Sequence, residues 1–103
     1  MIGAVLVLLA SSSSLDDYAR ANALFEHQKF SEAAEALDRA IKENPDYVPA
    51  WTLRGKLAMV FNRFDMARAA FLRAASLQPG SAYAQFMLGF FYYFDNDFIR
   101  AVP

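Results

Sequence analysis

The stretch that decides the fold is residues 51–79, WTLRGKLAMVFNRFDMARAAFLRAASLQP. It reads as two helices joined by a short turn. Just upstream, Pro49 suits the first turn of a helix, where its missing N–H has no helical partner. That helix is expected to run to about Phe61, and Asn62-Arg63-Phe64 turns the chain. Asp65 is expected to cap the next helix by accepting backbone N–H bonds. This second helix ends near Leu77, where Gln78-Pro79-Gly80 breaks it.

A shift of 34 residues brings three phenylalanines into coincidence, Phe30, Phe64 and Phe98, and three alanines, Ala33, Ala67 and Ala101. Ala36 falls on Ala70, Arg39 on Arg73, Ala40 on Ala74, Pro45 on Pro79 and Gly55 on Gly89. The plan of the quoted stretch then extends both ways. Upstream, a helix over about 16–27 turns at Gln28-Lys29-Phe30, Ser31 caps, and a helix runs to about Lys42 before Asn44-Pro45-Asp46. Downstream, Ser81 caps a helix to about Phe94, and Asp95-Asn96-Asp97 turns it. The expected units are a leader over 1–13, full repeats over 14–47 and 48–81, and a partial repeat over 82–103.

The repeated residue types have physical roles. Gly55 and Gly89 are expected where two helices of one unit cross, because a side chain there would hold the backbones apart. Ala33, Ala67 and Ala101 are small for the same contact. Leu37 and Phe71 are large enough to fill the space between neighbouring units, and Phe30, Phe64 and Phe98 plug the turns. One helix pair cannot bury its apolar stripe alone, so copies stack.

The pattern resembles the tetratricopeptide repeat family. The middle copy carries the match best, with Trp51, Gly55, Ala67, Phe71, Ala74 and Pro79 in family spacing. It departs at Arg54, where the family usually has Leu, and at Ala58, where Tyr is common. The first copy keeps Ala33, Ala40 and Pro45 but has Asp17 for Trp and Ala21 for Gly. The third keeps Leu88, Gly89, Tyr92 and Ala101, with Gln85 for Trp. The resemblance implies an all-α, right-handed solenoid of antiparallel helix pairs, with two full repeats and a truncated third. It implies a concave groove lined by the first helix of each repeat, where a peptide or partner helix binds. Carried onto this chain, that groove takes Leu15, Tyr18, Asn22 and Phe25 from the first repeat. Thr52, Lys56 and Met59 come from the second, and Tyr83, Phe86, Phe90 and Tyr93 from the third. Aromatic and Met side chains bring large contact area with few rotors. The stripe has a second reading, in which it packs against a further helix or the N-terminal segment. Members that clamp a C-terminal carboxylate do so with Lys, Asn and Arg. Only Asn22 matches, because Tyr18, Tyr83 and Met87 stand in the cationic slots, so no such clamp is expected.

Composition narrows the function. Ten Lys and Arg against eleven Asp and Glu leave a net charge of −1, too little surplus for a dedicated nucleic-acid binder. The absence of Cys and the single His exclude a disulfide framework, a Cys-based site and a His cluster for metal. His27, at a helix end, reads as a terminator favoured by the dipole. No Gly-rich phosphate loop or catalytic set is present, so neither enzyme activity nor a cofactor is expected. Charge is uneven: −4 over 14–47, +4 over 48–81 and −1 over 82–103. The bland reading, attraction between stacked neighbours, is favoured over steering of a partner.

Apolar residues make up 56% of the chain, and the excess over an ordinary globular chain is concentrated at the two ends. Residues 2–10, IGAVLVLLA, span about 14 Å as helix, against a bilayer core of roughly 30 Å. The length suits a signal-peptide core followed by the small residues of a cleavage region, or an apolar helix that packs on the first repeat. Membrane contact is expected only through this segment if it is uncleaved, and an exported, periplasmic or envelope-associated protein is favoured over a cytoplasmic one. Residues 82–94, AYAQFMLGFFYYF, are apolar all round, which marks a fully buried helix. Few residues remain to cover it, so a fragment of a longer array, or docking on another chain, is expected. The expected function is a protein–protein interaction scaffold. The alternatives are self-association through the C-terminal aromatic helix and an accessory array of a longer protein.

Overall fold

The computed structural model describes residues 15–95, and no strand occurs among them. Five helices follow one another: α1 (15–26), α2 (Phe30–Glu43), α3 (Val48–Val60), α4 (Phe64–Leu77) and α5 (Ala82–Phe94). The architecture is all-α and helical-repeat in kind. Its period is visible in the backbone, since α2 and α4 start 34 residues apart, as do α3 and α5. The leader, Phe98 and Ala101 lie outside the described residues.

The helices stack because small residues let them approach and large ones lock the approach. One buried cluster joins Ala21 of α1, Ala33, Ala36 and Leu37 of α2, and Ala50 and Leu53 of α3. A second joins Ala58 of α3, Ala67 and Phe71 of α4, and Met87 and Phe91 of α5. The tightest contact lies between Gly55 and Phe71. A Cβ placed on Gly55 would stand 2.7 Å from Phe71 Cδ1, so a side chain there would force the buried ring to shift. Phe71 is fully buried, and its ring meets that of Phe91 at 6.0 Å. One period earlier the same two positions hold Ala21 and Leu37, both buried in the first cluster. A larger residue at the crossing therefore goes with a smaller knob opposite it. Gly89 differs from expectation: a Cβ there would meet nothing within 4 Å among the described residues.

The turns within each helix pair close by a shared device. Gln28 and Asn62 take left-handed backbone conformations, φ 62° and 59°. After α1 the Gln28 N–H donates to the Phe25 carbonyl and the Lys29 N–H to the Leu24 carbonyl; after α3 Asn62 donates to Met59 and Arg63 to Ala58. This is the Schellman pattern, which satisfies carbonyls at a helix end. It lets α2 and α4 begin at once, with Lys29 and Arg63 as the N-terminal flanking residues and no side-chain cap. Ser31 and Asp65 therefore do not cap as expected; both lie inside the first turn, where Asp65 still offsets the dipole. Only α5, which follows a Pro-Gly break, has a side-chain cap among the four helices α2–α5: Ser81 Oγ accepts from the Ala84 N–H at 3.2 Å.

The junctions between helix pairs are tied by polar contacts at a 34-residue spacing. Trp51 Nε1 donates to the Pro45 carbonyl at 2.7 Å, and Gln85 Nε2 donates to the Pro79 carbonyl at 3.3 Å. Gln85 thus keeps the bond made by the indole it replaces. Arg39 pairs with Asp17 at 3.6 Å, and Arg73, one period later, lies over Trp51 at 5.9 Å and pairs with Asp46. Arg54, the departure from the family's Leu, stacks on Trp51 at 5.4 Å and pairs with Asp38 at 3.0 Å. Arg54–Asp38 and Arg73–Asp46 run from the basic middle copy to the acidic first one, which accords with attraction between neighbours. Being largely exposed, each such pair is worth about 0.2–1 kcal/mol.

The left-handed turn residues yield a stability prediction. A non-glycine residue in that region costs about 1–2 kcal/mol, part of which glycine returns as unfolded-state entropy. Gln28→Gly is therefore expected to stabilise the protein by about 0.5–1 kcal/mol, and Gln28→Val to destabilise it. Urea midpoints check both, and a lower midpoint for the glycine variant contradicts the assignment.

Candidate functional site

The residues expected in the groove come from α1, α3 and α5. On α5 the spacing divides the helix. Ala84, Met87 and Phe91 are buried, facing the neighbouring helices. Tyr83, Phe86, Phe90 and Tyr93, at i, i+3, i+7 and i+10, form one exposed stripe, with Phe86 65% and Tyr93 64% exposed. Tyr92 is exposed on another side. The expectation of a fully buried α5 is thus corrected among the described residues: the helix is covered on one face only, and its apolar circumference leaves large rings open.

The structure brings several of these groups together across three helices. Lys56 Nζ lies over the Tyr83 ring at 5.2 Å, joining α3 to α5. Tyr18 of α1 meets the Tyr47 ring edge-on at 5.3 Å. Burial raises the Tyr18 phenol pKa above the usual tyrosine range, and the neighbouring Tyr47 and Tyr83 raise it further. Tyr47 was not among the residues expected in the groove. Its signal was its place immediately before α3, where the chain enters the second helix pair close to the first.

The other expected residues are placed less uniformly. Asn22 Nδ2 donates to Glu26 Oε1 at a long 3.5 Å. Phe25 turns toward Phe30, ring to ring at 5.5 Å, and packs on the first core cluster. Met59 is half-buried against the second cluster. Leu15 is exposed. Thr52 departs from its expected role as a surface group. It is 3% exposed, and its hydroxyl donates to the Pro49 carbonyl at 2.8 Å, so it stabilises the start of α3 instead of facing a partner. His27 is exposed in the turn after α1.

A second concavity, which the sequence reading missed, lies between α2 and α3. Ala34, Asp38, Arg54, Phe61 and Met66 line it, with Leu37 at its floor. Its apolar rim residues, Phe61 and Met66, are exposed. They sit at the end of α3 and the start of α4, where the helical period alone does not tell an outer ridge from a buried one. Among the described residues no helix is long and apolar enough to cross a membrane.

Comparison with known proteins places this architecture. Among curated proteins no match to the chain is found. The family model described as Tetratricopeptide repeat matches residues 18–82 and again 52–90. These repeats generally mediate protein–protein interaction, binding proteins or peptides. The matched span, 18–90, contains α2, α3 and α4 whole and most of α1 and α5, with the Gly55–Phe71 crossing and most of the aromatic stripe, and on that ground the chain belongs to the tetratricopeptide repeat family.

Proposed function

We propose that the face shared by α1, α3 and α5 binds a peptide or a partner helix, and that the protein is an interaction scaffold without catalytic chemistry of its own. The observation that carries this reading is the stripe Tyr83, Phe86, Phe90 and Tyr93, four aromatic side chains exposed on one face of α5. Exposed rings at helical spacing supply the kind of anchor on which interfaces depend. Tyr18 and Lys56 extend the stripe onto the neighbouring helices. The units 14–47, 48–81 and 82–103 act together, because the stripe crosses their boundaries.

Selection from a phage-displayed library of random dodecapeptides tests the reading. The full chain is expected to enrich apolar peptides, and Phe86→Ala with Phe90→Ala to weaken the enriched peptides by about 30-fold or more. Circular dichroism of the variant is expected to be unchanged, since neither side chain is buried. Unchanged affinity in a folded variant would remove the groove assignment.

Self-association is the second reading. It is favoured by Tyr92, exposed on a different side of α5 from the stripe, and by Gly89, beside which a Cβ would meet nothing within 4 Å among the described residues. It predicts a dimer that grows with concentration in sedimentation equilibrium and is weakened by Tyr92→Ser. A monomer across the micromolar range contradicts it.

A further inference from the structure

Lys56 differs from the other cations of the described chain. Arg39, Arg54, Arg68 and Arg73 each pair with an Asp. Arg20, Lys29, Lys42 and Arg63 have no such pair and are exposed, so water solvates them. Lys56 is half-buried, and among the described residues no carboxylate pairs with it. The acids of α1 are used elsewhere or lie at the surface: Asp17 holds Arg39, Glu26 accepts from Asn22, and Asp16 is exposed. What faces the ammonium is the ring of Tyr83 at 5.2 Å. A ring face offsets part of the cost of removing a cation from water, and it leaves the positive charge unneutralised. The surroundings add neutral donors. They are the phenols of Tyr83 itself and of Tyr18, whose pKa burial raises and nearby Tyr47 and Tyr83 raise further. One positive charge and two phenols therefore stand at one end of an otherwise apolar stripe.

We propose that Lys56, with Tyr83 and Tyr18 beside it, forms a subsite for the carboxylate of a single Asp or Glu side chain in the bound segment. Its complement is one acid flanked by apolar or aromatic residues. A single carboxylate matches the single ammonium, and the phenols donate to its remaining lone pairs. This is not a clamp for a chain terminus, whose cationic positions hold Tyr18, Tyr83 and Met87 here. The subsite rests on the groove reading and adds the partner's chemistry to it.

The test uses the same dodecapeptide library, displayed so that no peptide ends in a free carboxylate. The full chain is expected to enrich peptides with an acid at one fixed place among apolar residues. In a synthetic enriched peptide, replacing that acid by its amide is expected to cost about tenfold in affinity on the wild type. On Lys56→Met the same replacement is expected to cost less than twofold, while Lys56→Arg retains most of the discrimination. Two results overturn the proposal and leave the groove standing: enrichment of apolar peptides with no preferred acid, or an equal amide effect on wild type and Lys56→Met. Enrichment of no peptide at all overturns the groove and the subsite together. The amide comparison on the wild type does not depend on how well any variant folds.

Discussion

The structure depends on how closely α3 and α4 approach, and Gly55 sets that distance. Phe71 lies where a side chain on residue 55 would be, and from there its ring reaches Phe91 of α5. One ring thus holds a helix pair together and fixes the next helix against it. Burying a ring of that size contributes about 1.5–3 kcal/mol, and it does so only while the crossing stays bare. The first copy meets the same constraint with Ala21 and Leu37, a larger crossing residue and a smaller knob. The two copies solve one packing problem with different divisions of volume.

The face that α5 offers follows from that contact. Phe91 is turned inward to meet Phe71, with Ala84 and Met87 along the same side. The helical period then forces Tyr83, Phe86, Phe90 and Tyr93 outward on a different face. Across the stack the same geometry sets Tyr18 on α1 and Lys56 on α3 beside Tyr83. The aromatic stripe and the half-buried Lys56 beside it are therefore consequences of the core, placed by packing that the partner does not touch.

Much of this was legible in the sequence because the repeat is written in residue volumes. Gly55, Phe71, Ala67 and Ala74 mark positions where only small or only large groups fit, and the 34-residue spacing follows from them. Three things were harder to read. Schellman closures at Gln28 and Asn62 use residues that carry no glycine signal, so the following helices start earlier than caps at Ser31 and Asp65 would allow. Gln85 looked like a departure from the Trp pattern, yet it makes the same bond to a proline carbonyl, because an amide and an indole both present an N–H at that reach. Thr52 has the groove's spacing, but its hydroxyl finds a backbone carbonyl three residues back and turns inward. Spacing assigns a helix face; it does not say which polar group will be satisfied locally.

Residues 55 and 71 share one volume. A double-mutant cycle in urea tests it most directly. Gly55→Ala alone is expected to cost about 1–3 kcal/mol through overpacking, and Phe71→Leu alone about 1–2 kcal/mol through lost packing. Together they recreate the first copy's pair, and the double variant is expected to be more stable than the two losses predict by at least about 1 kcal/mol. Strict additivity of the two losses would contradict the account.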